Sequence, residues 1–356
     1  MVLNDERWRG RRVFLTGHTG FKGGWLALWL KRLGAHVHGY ALDPVTDPNL
    51  FSVARVAGDL AGETRADVRD EQALRAAMSA AQPEIVFHLA AQPLVRLSYA
   101  EPVATFATNV LGTVHLLEAA RHCPSVRAIV NVTTDKCYEN REWPWGYREN
   151  ERLGGVDPYA SSKACAELVS TAYREAFFRQ GGVALATARA GNVIGGGDWA
   201  ADRLLPDFFR ASQAGTPLVV RHPEATRPWQ HVLEPLHGYL LLAQQLDQQG
   251  MKFAGAWNFG PRVADSRPVR ELLDRMAHLM PGAAWQNAAG VQPHEAHMLR
   301  LDSSKARSEL HWSPRWNLEQ ALERTVRWHQ AWRGGEDMHA FSLAQIAEYE
   351  RMAAQE

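Results

Sequence analysis

Three glycines, Gly17, Gly20 and Gly23, lie between the first predicted strand and the first predicted helix. The run Arg12–Thr16 (RVFLT) is rich in β-forming residues, and the apolar spacing over Phe21–Leu33 predicts a helix. Glycines allow a tight turn and let a pyrophosphate approach the backbone, while the helix N-terminus offers unpaired N–H groups. This arrangement predicts a dinucleotide-binding loop at the start of an α/β fold.

The alternation of strands and helices continues to about residue 190. Further strands are predicted at His36–Leu42, Glu84–Leu89, Ala128–Val132 and Val183–Arg189, and helices at Asp70–Ala81, Pro102–His122 and Pro158–Phe178. This pattern predicts a Rossmann-type, doubly wound parallel sheet with helices on both faces.

The regular alternation breaks after residue 190. Short helical patterns follow near 203–213, 232–248, 268–279 and 318–333, as in a smaller substrate-binding lobe. We therefore expect an NAD-binding domain over residues 1–190 and a nucleotide-sugar-binding lobe over 191–356, with room for some segments to return to the first domain. The tail after Gly335 is polar and helical in composition, and no role is assigned to it.

Composition excludes several classes of protein. Basic and acidic residues number 39 each, so the formal net charge is zero, which argues against a nucleic-acid-binding surface. No stretch reaches the roughly 18 apolar residues of a membrane span, and the N-terminus has no apolar signal core. Cys123, Cys137 and Cys165 show no paired spacing, as is typical of a reducing compartment. We expect a soluble, cytoplasmic protein.

A tyrosine and a lysine four residues apart form a second motif, in the run Tyr159-Ala160-Ser161-Ser162-Lys163. On the predicted helix this spacing places both side chains on one face. The lysine ammonium would lower the pKa of the phenol, whose phenolate could take a proton from a sugar hydroxyl as hydride leaves the same carbon. An exposed surface pair is the alternative. The glycine loop and the strand that ends in Thr133-Thr134-Asp135-Lys136 favour catalysis.

The adenosine end of a cofactor has two candidate carboxylates. Asp43 follows the glycine loop by 20 residues and favours NAD over NADP, unless it only starts a turn. Asp67 could hold the adenine amino group, or it could be the N-cap of the helix Asp70–Ala81. Lys22 could pair with the pyrophosphate, and His18 adds bulk beside the phosphates. For these last two residues, an exposed loop pair is the alternative.

Together these motifs resemble the extended short-chain dehydrogenases/reductases that act on nucleotide sugars. The matching segments are GHTGFKG at 17–23, HLAAQ at 88–92, NVLGTVHLLEAA at 109–120, VTTDK at 132–136, YASSK at 159–163, RAGNVIGGGDW at 189–199, RPWQHV at 227–232 and LDSSKARSELHW at 301–312. The resemblance implies an NAD-dependent enzyme in which Thr134, Tyr159 and Lys163 oxidise the sugar and Asn109 is structural. The implied cofactor contacts are Gly17, His18, Thr19, Gly20, Phe21, Lys22, Asp43, Asp67, Val68, Leu89, Ala90, Ala91, Tyr159 and Lys163.

Within this family, the pair Asp135-Lys136 indicates a 4,6-dehydratase, because epimerases generally carry small, non-ionisable residues there. Once C4 is a ketone, elimination needs an acid for the C6 hydroxyl and a base for the C5 proton. A protonated Asp135 in a closed apolar site suits the acid. Dehydratases of dTDP-sugars typically have Asp-Glu, so Lys136 is a departure. It is either the base, with its pKa lowered by burial, or a cation that stabilises the enolate. A loop salt bridge between Asp135 and Lys136 is the alternative.

The expected substrate is a nucleoside-diphosphate hexose, since the Thr-Asp-Lys form together with GHTGFKG is most similar to the 4,6-dehydratases of CDP-glucose. Candidate ligands of the diphosphate are Asn192, Arg203, Arg221 and Arg227. The resemblance favours Asn192 and Arg227, whereas Arg203 and Arg221 could equally be ordinary surface arginines. His294 and His297 lack the HExxH spacing and a third ligand, so no metal site is predicted.

The resemblance also implies a homodimer in which helices Pro102–His122 and Pro158–Phe178 pair with their copies. Candidate contact residues are Val110, Val114, Leu117, Leu168 and Tyr173.

Three rival functions are open to a chain of this type. A 4-epimerase shares Tyr159 and Lys163 but does not need Asp135 and Lys136. Inverting dehydratases of UDP-N-acetylglucosamine also carry Thr-Asp-Lys, but their tyrosine lies much nearer than the 24 residues between Asp135 and Tyr159 here. A cofactor-binding regulator that has lost catalysis would not need the intact Thr134, Asp135, Tyr159 and Lys163.

Overall fold

The computed structural model describes residues 3, 5–289 and 298–352. His294 and His297, at which the sequence predicted no metal site, lie outside the described residues. One central sheet has seven parallel strands in the order β7-β6-β5-β4-β1-β2-β3. Its strands are β1 (Arg12–Thr16), β2 (His36–Ala41), β3 (Gly62–Arg65), β4 (Ile85–His88), β5 (Ala128–Val132), β6 (Ala184–Ala190) and β7 (Gly255–Phe259). This sheet confirms the predicted doubly wound α/β class. The strand order reverses between β1 and β4, which opens a crevice for ligands at the carboxyl edge.

Helices cover both faces of the sheet. The longer ones are α1 (Phe21–Arg32), α2 (Glu71–Ala81), α3 (Gly112–Arg121), α4 (Pro158–Tyr173), α5 (Leu204–Gln213), α6 (Leu233–Gln249), α7 (Val269–Leu279), α8 (Leu318–Arg333) and α9 (Met338–Arg351). Shorter helices span Asp5–Trp8, Leu50–Val53, Val95–Ala100, Pro102–Phe106, Arg179–Gly181 and Ser304–Leu310.

Strand β1 shows why its residues are apolar throughout. Val13 and Leu15 point into the core shared with α1 and α6, whereas Phe14, between them, points into the core shared with α2 and α3. A parallel strand covered on both faces has no polar side, so its pattern is a continuous apolar run rather than an alternating one.

The two long helices of the first half are not continuous α-helices, which corrects the prediction. A π-helical turn at Ala107–Leu111 separates Pro102–Phe106 from α3, and another at Arg174–Phe178 follows α4. In the first of these turns, the Asn109 amide donates to the Gln92 carbonyl at 3.1 Å and to Ser162 at 2.9 Å. These long-range bonds hold Asn109 in the structural role that was expected of it.

The second half of the chain contributes to the same sheet. Strand β7 pairs in parallel with β6, and α6 packs against the sheet. The rest of this half has a smaller core of its own, around Phe208, Leu272 and Leu322. Three two-stranded ribbons also belong to this half, formed by Val193–Ile194 with Gln230–His231, Thr226–Pro228 with Ser266–Pro268, and Leu218–Val220 with Trp285–Asn287.

The C-terminal helix α9 closes the core beside α1. Trp29 donates its indole N–H to Glu350 at 2.9 Å, and the Tyr349 hydroxyl donates to the buried Glu234 at 2.7 Å. The tail therefore completes the packing of the first helix. Among the described helices, none has the length and apolar character needed to cross a membrane.

Candidate active site

Strand β5 and helix α4 bring the predicted catalytic residues together. Thr134 is the N-cap of a short 3₁₀ turn, Asp135–Cys137, and its hydroxyl accepts from the Lys136 N–H at 3.3 Å. Asp157 caps α4 by accepting from Ala160 N at 2.8 Å, so that Tyr159 lies in the first turn. Lys163 follows one turn later.

Tyr159 and Lys163 are both buried, so they are not an exposed surface pair. The Lys163 ammonium donates to the Val132 carbonyl at 3.2 Å, and burial lowers its pKa to about 8. Burial raises the pKa of Tyr159 to about 12, although a hydrogen bond with the Thr134 side chain acts in the opposite direction. Both groups are thus displaced toward their neutral forms in the protein alone.

Asp135 is a buried carboxyl whose two oxygens have different surroundings. Its Oδ1 accepts from the Thr134 hydroxyl at 3.0 Å, while Oδ2 is buried without a hydrogen-bond partner among the described residues. Burial raises its pKa, against the opposing charges of Lys136, Arg227 and Lys22. Asp135 and Lys136 form no ion pair with each other in the described structure. A raised pKa favours the protonated form of Asp135, which can donate its proton to a departing hydroxyl.

The glycine loop supplies one more cation to this cluster. Lys22 interacts electrostatically with Arg203, Asp135 and Lys163, and burial lowers its pKa to about 8. It therefore lies close to the catalytic residues, a position that spacing alone did not indicate. Its contact with a cofactor pyrophosphate stays a prediction.

The loop around Lys22 has the geometry of an anion site. Gly17 has a φ of +77°, and a Cβ there would lie 2.7 Å from Ala90 N. A Cβ on Gly23 would lie only 2.0 Å from the Gly17 carbonyl oxygen, so neither glycine can be replaced without moving backbone. Gly20 gives α1 no side-chain cap. The first-turn N–H groups of α1 are thus left for an external anion, which fits the pyrophosphate of a dinucleotide.

His18 lies elsewhere than expected. It is fully buried, its Nε2 is 2.5 Å from Glu63 Oε1, and a Cβ on Gly39 would contact the imidazole ring. Burial lowers its pKa, with Glu63 acting in the opposite direction. The ring therefore fills the space beside β2 and β3, and the interpretation of an exposed loop pair with Lys22 is wrong.

The two adenosine candidates differ in their surroundings. The Asp43 side chain is 89% exposed and pairs with Arg65 at 3.3 Å. Asp67 accepts from the Arg69 N–H at 2.8 Å, and the Arg69 guanidinium holds its pKa low. Asp70, not Asp67, caps α2, which corrects the N-cap alternative.

Among the remaining cofactor candidates, Thr19 belongs to the loop, Leu89 and Ala90 lie against Gly17, and Val68 lies beside α3. Leu89 and Ala90 follow β4, and their N–H groups both donate to Thr16 Oγ1 at 3.1 Å, a contact that the sequence did not reveal. Thr19 donates to the Leu42 carbonyl at 2.9 Å, and Val68 packs where a Cβ on Gly112 would be.

The predicted diphosphate ligands separate into two groups. Arg203 pairs with Asp198 at 2.9 Å and acts on Tyr159, and the buried Arg227 acts on Asp135, so both belong to the catalytic cluster. Asn192 is half-buried just after β6. Arg221 is exposed, and no interaction connects it with the cluster in the described structure.

Comparison with known proteins now places the chain. A family model described as GDP-mannose 4,6 dehydratase matches residues 14–325. The chain belongs to this dehydratase family. It is 54% identical over 354 residues, 98% of both chains, to a CDP-glucose 4,6-dehydratase of Salmonella typhimurium strain LT2. It is 29% identical to a dTDP-glucose 4,6-dehydratase of Streptomyces antibioticus, with 75% of each chain covered.

Solved structures agree with this membership. A dTDP-glucose 4,6-dehydratase from Streptomyces venezuelae with NAD bound superposes with a TM-score of 0.77 at 26% identity, covering 92% of this chain and 99% of that one. A UDP-glucose 4-epimerase from Thermotoga maritima superposes with a TM-score of 0.78 at 22% identity, covering 90% and 99%, which shows the shared fold. The resemblance predicted from the motifs is thereby confirmed.

Proposed function

We propose that the chain is an NAD-dependent nucleotide-sugar 4,6-dehydratase that converts CDP-D-glucose to CDP-4-keto-6-deoxy-D-glucose and water. The observation that carries this function is the buried Asp135, whose Oδ2 faces no partner in the described structure, beside Tyr159 and Lys163. Oxidation at C4 alone needs only the last two residues. A buried acid next to them suits a reaction in which a hydroxyl must also depart.

The choice of CDP-glucose rests on the full-length similarity to a CDP-glucose 4,6-dehydratase. The same Thr-Asp-Lys run at Thr134–Lys136 separates this chain from the Asp-Glu pattern of dTDP-sugar enzymes. A 4-epimerase shares the fold, but epimerisation at C4 eliminates no hydroxyl and so does not need a buried acid such as Asp135.

NAD, when bound at the glycine loop, would accept a hydride from C4 of the hexose and return it to C6. Tyr159, as the phenolate, takes the C4 hydroxyl proton. The Lys163 ammonium lies one helical turn away and stabilises the phenolate by charge. Both side chains are buried, which excludes water and strengthens this electrostatic effect.

The elimination of water uses Asp135 and Lys136, the two residues that follow Thr134 in the sequence. Asp135 donates its proton to the C6 hydroxyl, which leaves as water. Lys136 is half-buried beside it and either takes the C5 proton or stabilises the enolate as a cation. Lys22 is a second cation that acts on Asp135 and is available to the same developing negative charge.

The substrate's diphosphate is assigned to Asn192 and Arg227. Arg227 is buried and its guanidinium donates to the Thr226 carbonyl at 3.0 Å. Arg203 lies close enough to Tyr159 to act on the sugar end of the substrate. Arg221 is the weakest candidate because it is exposed.

The test is incubation of the purified protein with each nucleoside-diphosphate glucose, with and without added NAD. We expect a product from CDP-glucose that absorbs in alkali and has lost one water by mass spectrometry, and none from Tyr159→Phe. Substrate deuterated at C4 should yield product labelled at C6 within one molecule. A C4 epimer, label lost to solvent, or steady accumulation of NADH would contradict the proposal.

We also propose a homodimer formed by the helical segments on either side of the site. Large apolar side chains are exposed along them, at Leu97, Tyr99, Val103, Phe106, Leu111, Leu168 and Phe177. Val110 and Val114 are half-buried. Leu117 is fully buried in the core of its own chain, and Tyr173 packs against that core, so neither of these two candidates is a principal contact.

A further inference from the structure

We propose that Tyr138 is a positioning residue for the elimination step, because its buried hydroxyl fixes the turn that carries Asp135 to the strands β6 and β7. Tyr138 comes directly after the 3₁₀ turn Asp135–Cys137. This inference rests on the proposed dehydratase function, in which Asp135 is the acid. Tyr138 acts through Asp135 and needs no contact of its own with the sugar.

The Tyr138 hydroxyl connects the end of the turn to two strands of the sheet. The residue is only 1% exposed. Its hydroxyl donates to Asn258 Oδ1 on β7 at 2.8 Å and accepts from Arg189 Nη1 on β6 at 2.7 Å. The Arg189 guanidinium also lies over the phenol ring, 4.8 Å from its centroid. The ring and the hydroxyl are therefore both held in place.

The surroundings require a group that both donates and accepts at this point. The Asn258 side-chain amide donates to the carbonyls of Tyr147 at 2.8 Å and Asp302 at 3.1 Å, so its oxygen faces Tyr138 and needs a donor. Arg189 has only donors and needs an acceptor. A tyrosine hydroxyl supplies both, whereas a phenylalanine ring of the same shape supplies neither.

The turn that carries Asp135 is held at both of its ends. Before the turn, the Thr133 N–H donates to the Ala188 carbonyl of β6 at 2.9 Å, and after it Tyr138 bonds to the same strand. Between these ends the Asp135 carboxyl lies against Gly191, where a Cβ would be 3.0 Å from Oδ2. Loss of the second anchor would let this carboxyl move. A displacement of about 1 Å at a reacting group can cost about a hundredfold in rate.

The oxidation residues have anchors of their own. The Tyr159 N–H donates to Ser98 Oγ at 3.2 Å, and the Lys163 ammonium donates to the Val132 carbonyl at 3.2 Å. Neither hydrogen bond involves Tyr138. Removal of the Tyr138 hydroxyl should therefore weaken elimination and leave oxidation at C4 intact, whereas a merely structural role would affect the two steps equally.

The test compares Tyr138→Phe with the matched control Tyr147→Phe. Tyr147 is also buried, at 2% exposed, and its ring stacks on that of Tyr138 with centroids 5.2 Å apart. Its hydroxyl donates to Asn140 Oδ1 at 2.9 Å, outside the turn. Each variant loses one buried hydroxyl and keeps the ring, but only Tyr138→Phe releases the turn.

A rapid-quench single turnover with CDP-glucose follows NADH and the 4-keto-6-deoxy product separately. For Tyr138→Phe we expect C4 oxidation within about twofold of wild type and elimination slower by about tenfold or more, so that NADH accumulates transiently. Tyr147→Phe should change neither step by more than about twofold. Adding Tyr138→Phe to Asp135→Asn should slow elimination no further, because the acid that Tyr138 positions is already absent.

Equal slowing of oxidation and elimination in Tyr138→Phe, or no slowing of elimination, would overturn the positioning role. A further tenfold slowing in the double variant would also overturn it, since Tyr138 would then act independently of Asp135. If circular dichroism shows that Tyr138→Phe does not fold, Asn258→Ala removes the acceptor of the hydroxyl and must show the same selective loss. Failure of wild type to form any 4-keto-6-deoxy product would instead contradict the proposed function.

Discussion

Glu167 and Arg189 form an ion pair at 2.8 Å in which the side chains are only 2% and 3% exposed. Glu167 lies one turn beyond Lys163 on α4, and Arg189 lies near the end of β6. Glu167 also accepts hydrogen bonds from Thr133 and Thr187. Burial acts to raise the pKa of Glu167, but the Arg189 guanidinium and these hydroxyls hold it below its usual range. The pair thus joins α4 to β6, and the hydrogen bond from Thr133 connects Glu167 to the segment after β5 that leads into Thr134.

Removing one charge from this pair should strongly destabilise the protein. Glu167→Gln leaves the Arg189 charge buried and uncompensated, and we expect a loss of about 3–5 kcal/mol in the free energy of unfolding. The measurement is urea denaturation followed by circular dichroism. The matched control is Glu175→Gln, which breaks an exposed pair with Arg179 and should leave the midpoint unchanged. Equal effects of the two substitutions would show that burial of the pair does not matter.

Asp135 and Tyr159 should affect different steps. Tyr159→Phe removes the base for C4 oxidation, so no NADH should form. Asp135→Asn keeps the shape and removes the acid, so oxidation should survive while elimination slows on the order of a hundredfold or more. A rapid-quench single turnover should then show NADH and a 4-keto hexose. Loss of C4 hydride transfer in Asp135→Asn, as complete as in Tyr159→Phe, would refute this division.

Lys136→Ala distinguishes a role of Lys136 in elimination, as the C5 base or as a cation that stabilises the enolate, from a role as a surface charge only. If Lys136 handles the C5 proton or its enolate, the variant should block elimination in the same way as Asp135→Asn. Its partial burial and its action on Asp135 favour that result. Exchange of the C5 proton with solvent, measured in the same single turnover, is the readout. A loss of only a few-fold would mean that the lysine has a merely electrostatic, surface role.

Activity should decrease as pH rises through about 8. The pKa of Lys163 is lowered by burial to about 8, and its charged form, which stabilises the phenolate, is lost above that pH. A kcat/KM profile should therefore have a basic limb near pH 8. Lys163→Arg should move this limb to higher pH. Lys22 also has a pKa of about 8, so persistence of the limb in Lys163→Arg and its loss in Lys22→Met would assign it to Lys22 instead.

Stability should decrease in mild acid because of buried histidines. Burial lowers the pKa of His88 to about 3, while the unfolded value is about 6.5. Between these values the unfolded chain binds more protons than the folded chain. The free energy of unfolding therefore decreases as the pH is lowered, by up to about 1.4 kcal/mol per pH unit for this group. Denaturation at pH 5 and pH 7.5 measures the slope. His88→Gln should reduce the slope, whereas substitution of the exposed His36 should not.

The proposed dimer depends on exposed apolar side chains of two neighbouring helical segments. Val103 is 81% exposed and Leu168 is 59% exposed, so a charge at either position costs little in the monomer. Val103→Asp combined with Leu168→Asp should convert a dimeric mass to a monomeric one in light scattering at micromolar concentration. The matched control is Val45→Asp, at a valine that is 91% exposed in a loop outside these helices. A monomeric wild type would contradict the proposal.

Much of the fold follows from local pattern. The alternation of apolar runs and helical spacings specified a parallel sheet, because each strand must be covered on both faces and connected by a helix. The positions of Tyr159 and Lys163 on one face followed from helix geometry, and those of Gly17 and Gly23 from backbone conformation. Such features depend on residues close in sequence, and for that reason they could be predicted.

Tertiary structure alone decided which polar groups are buried together. The buried His18 pairs with Glu63, and Lys22 acts electrostatically on Asp135. Arg203 belongs to the catalytic cluster, whereas Arg221 is exposed. The pairing of Glu167 with Arg189 and the return of β7 to the sheet depend on the register of elements far apart in the chain. The strength of a charge or a hydrogen bond depends on what surrounds it in space, and those surroundings exist only when distant segments have packed.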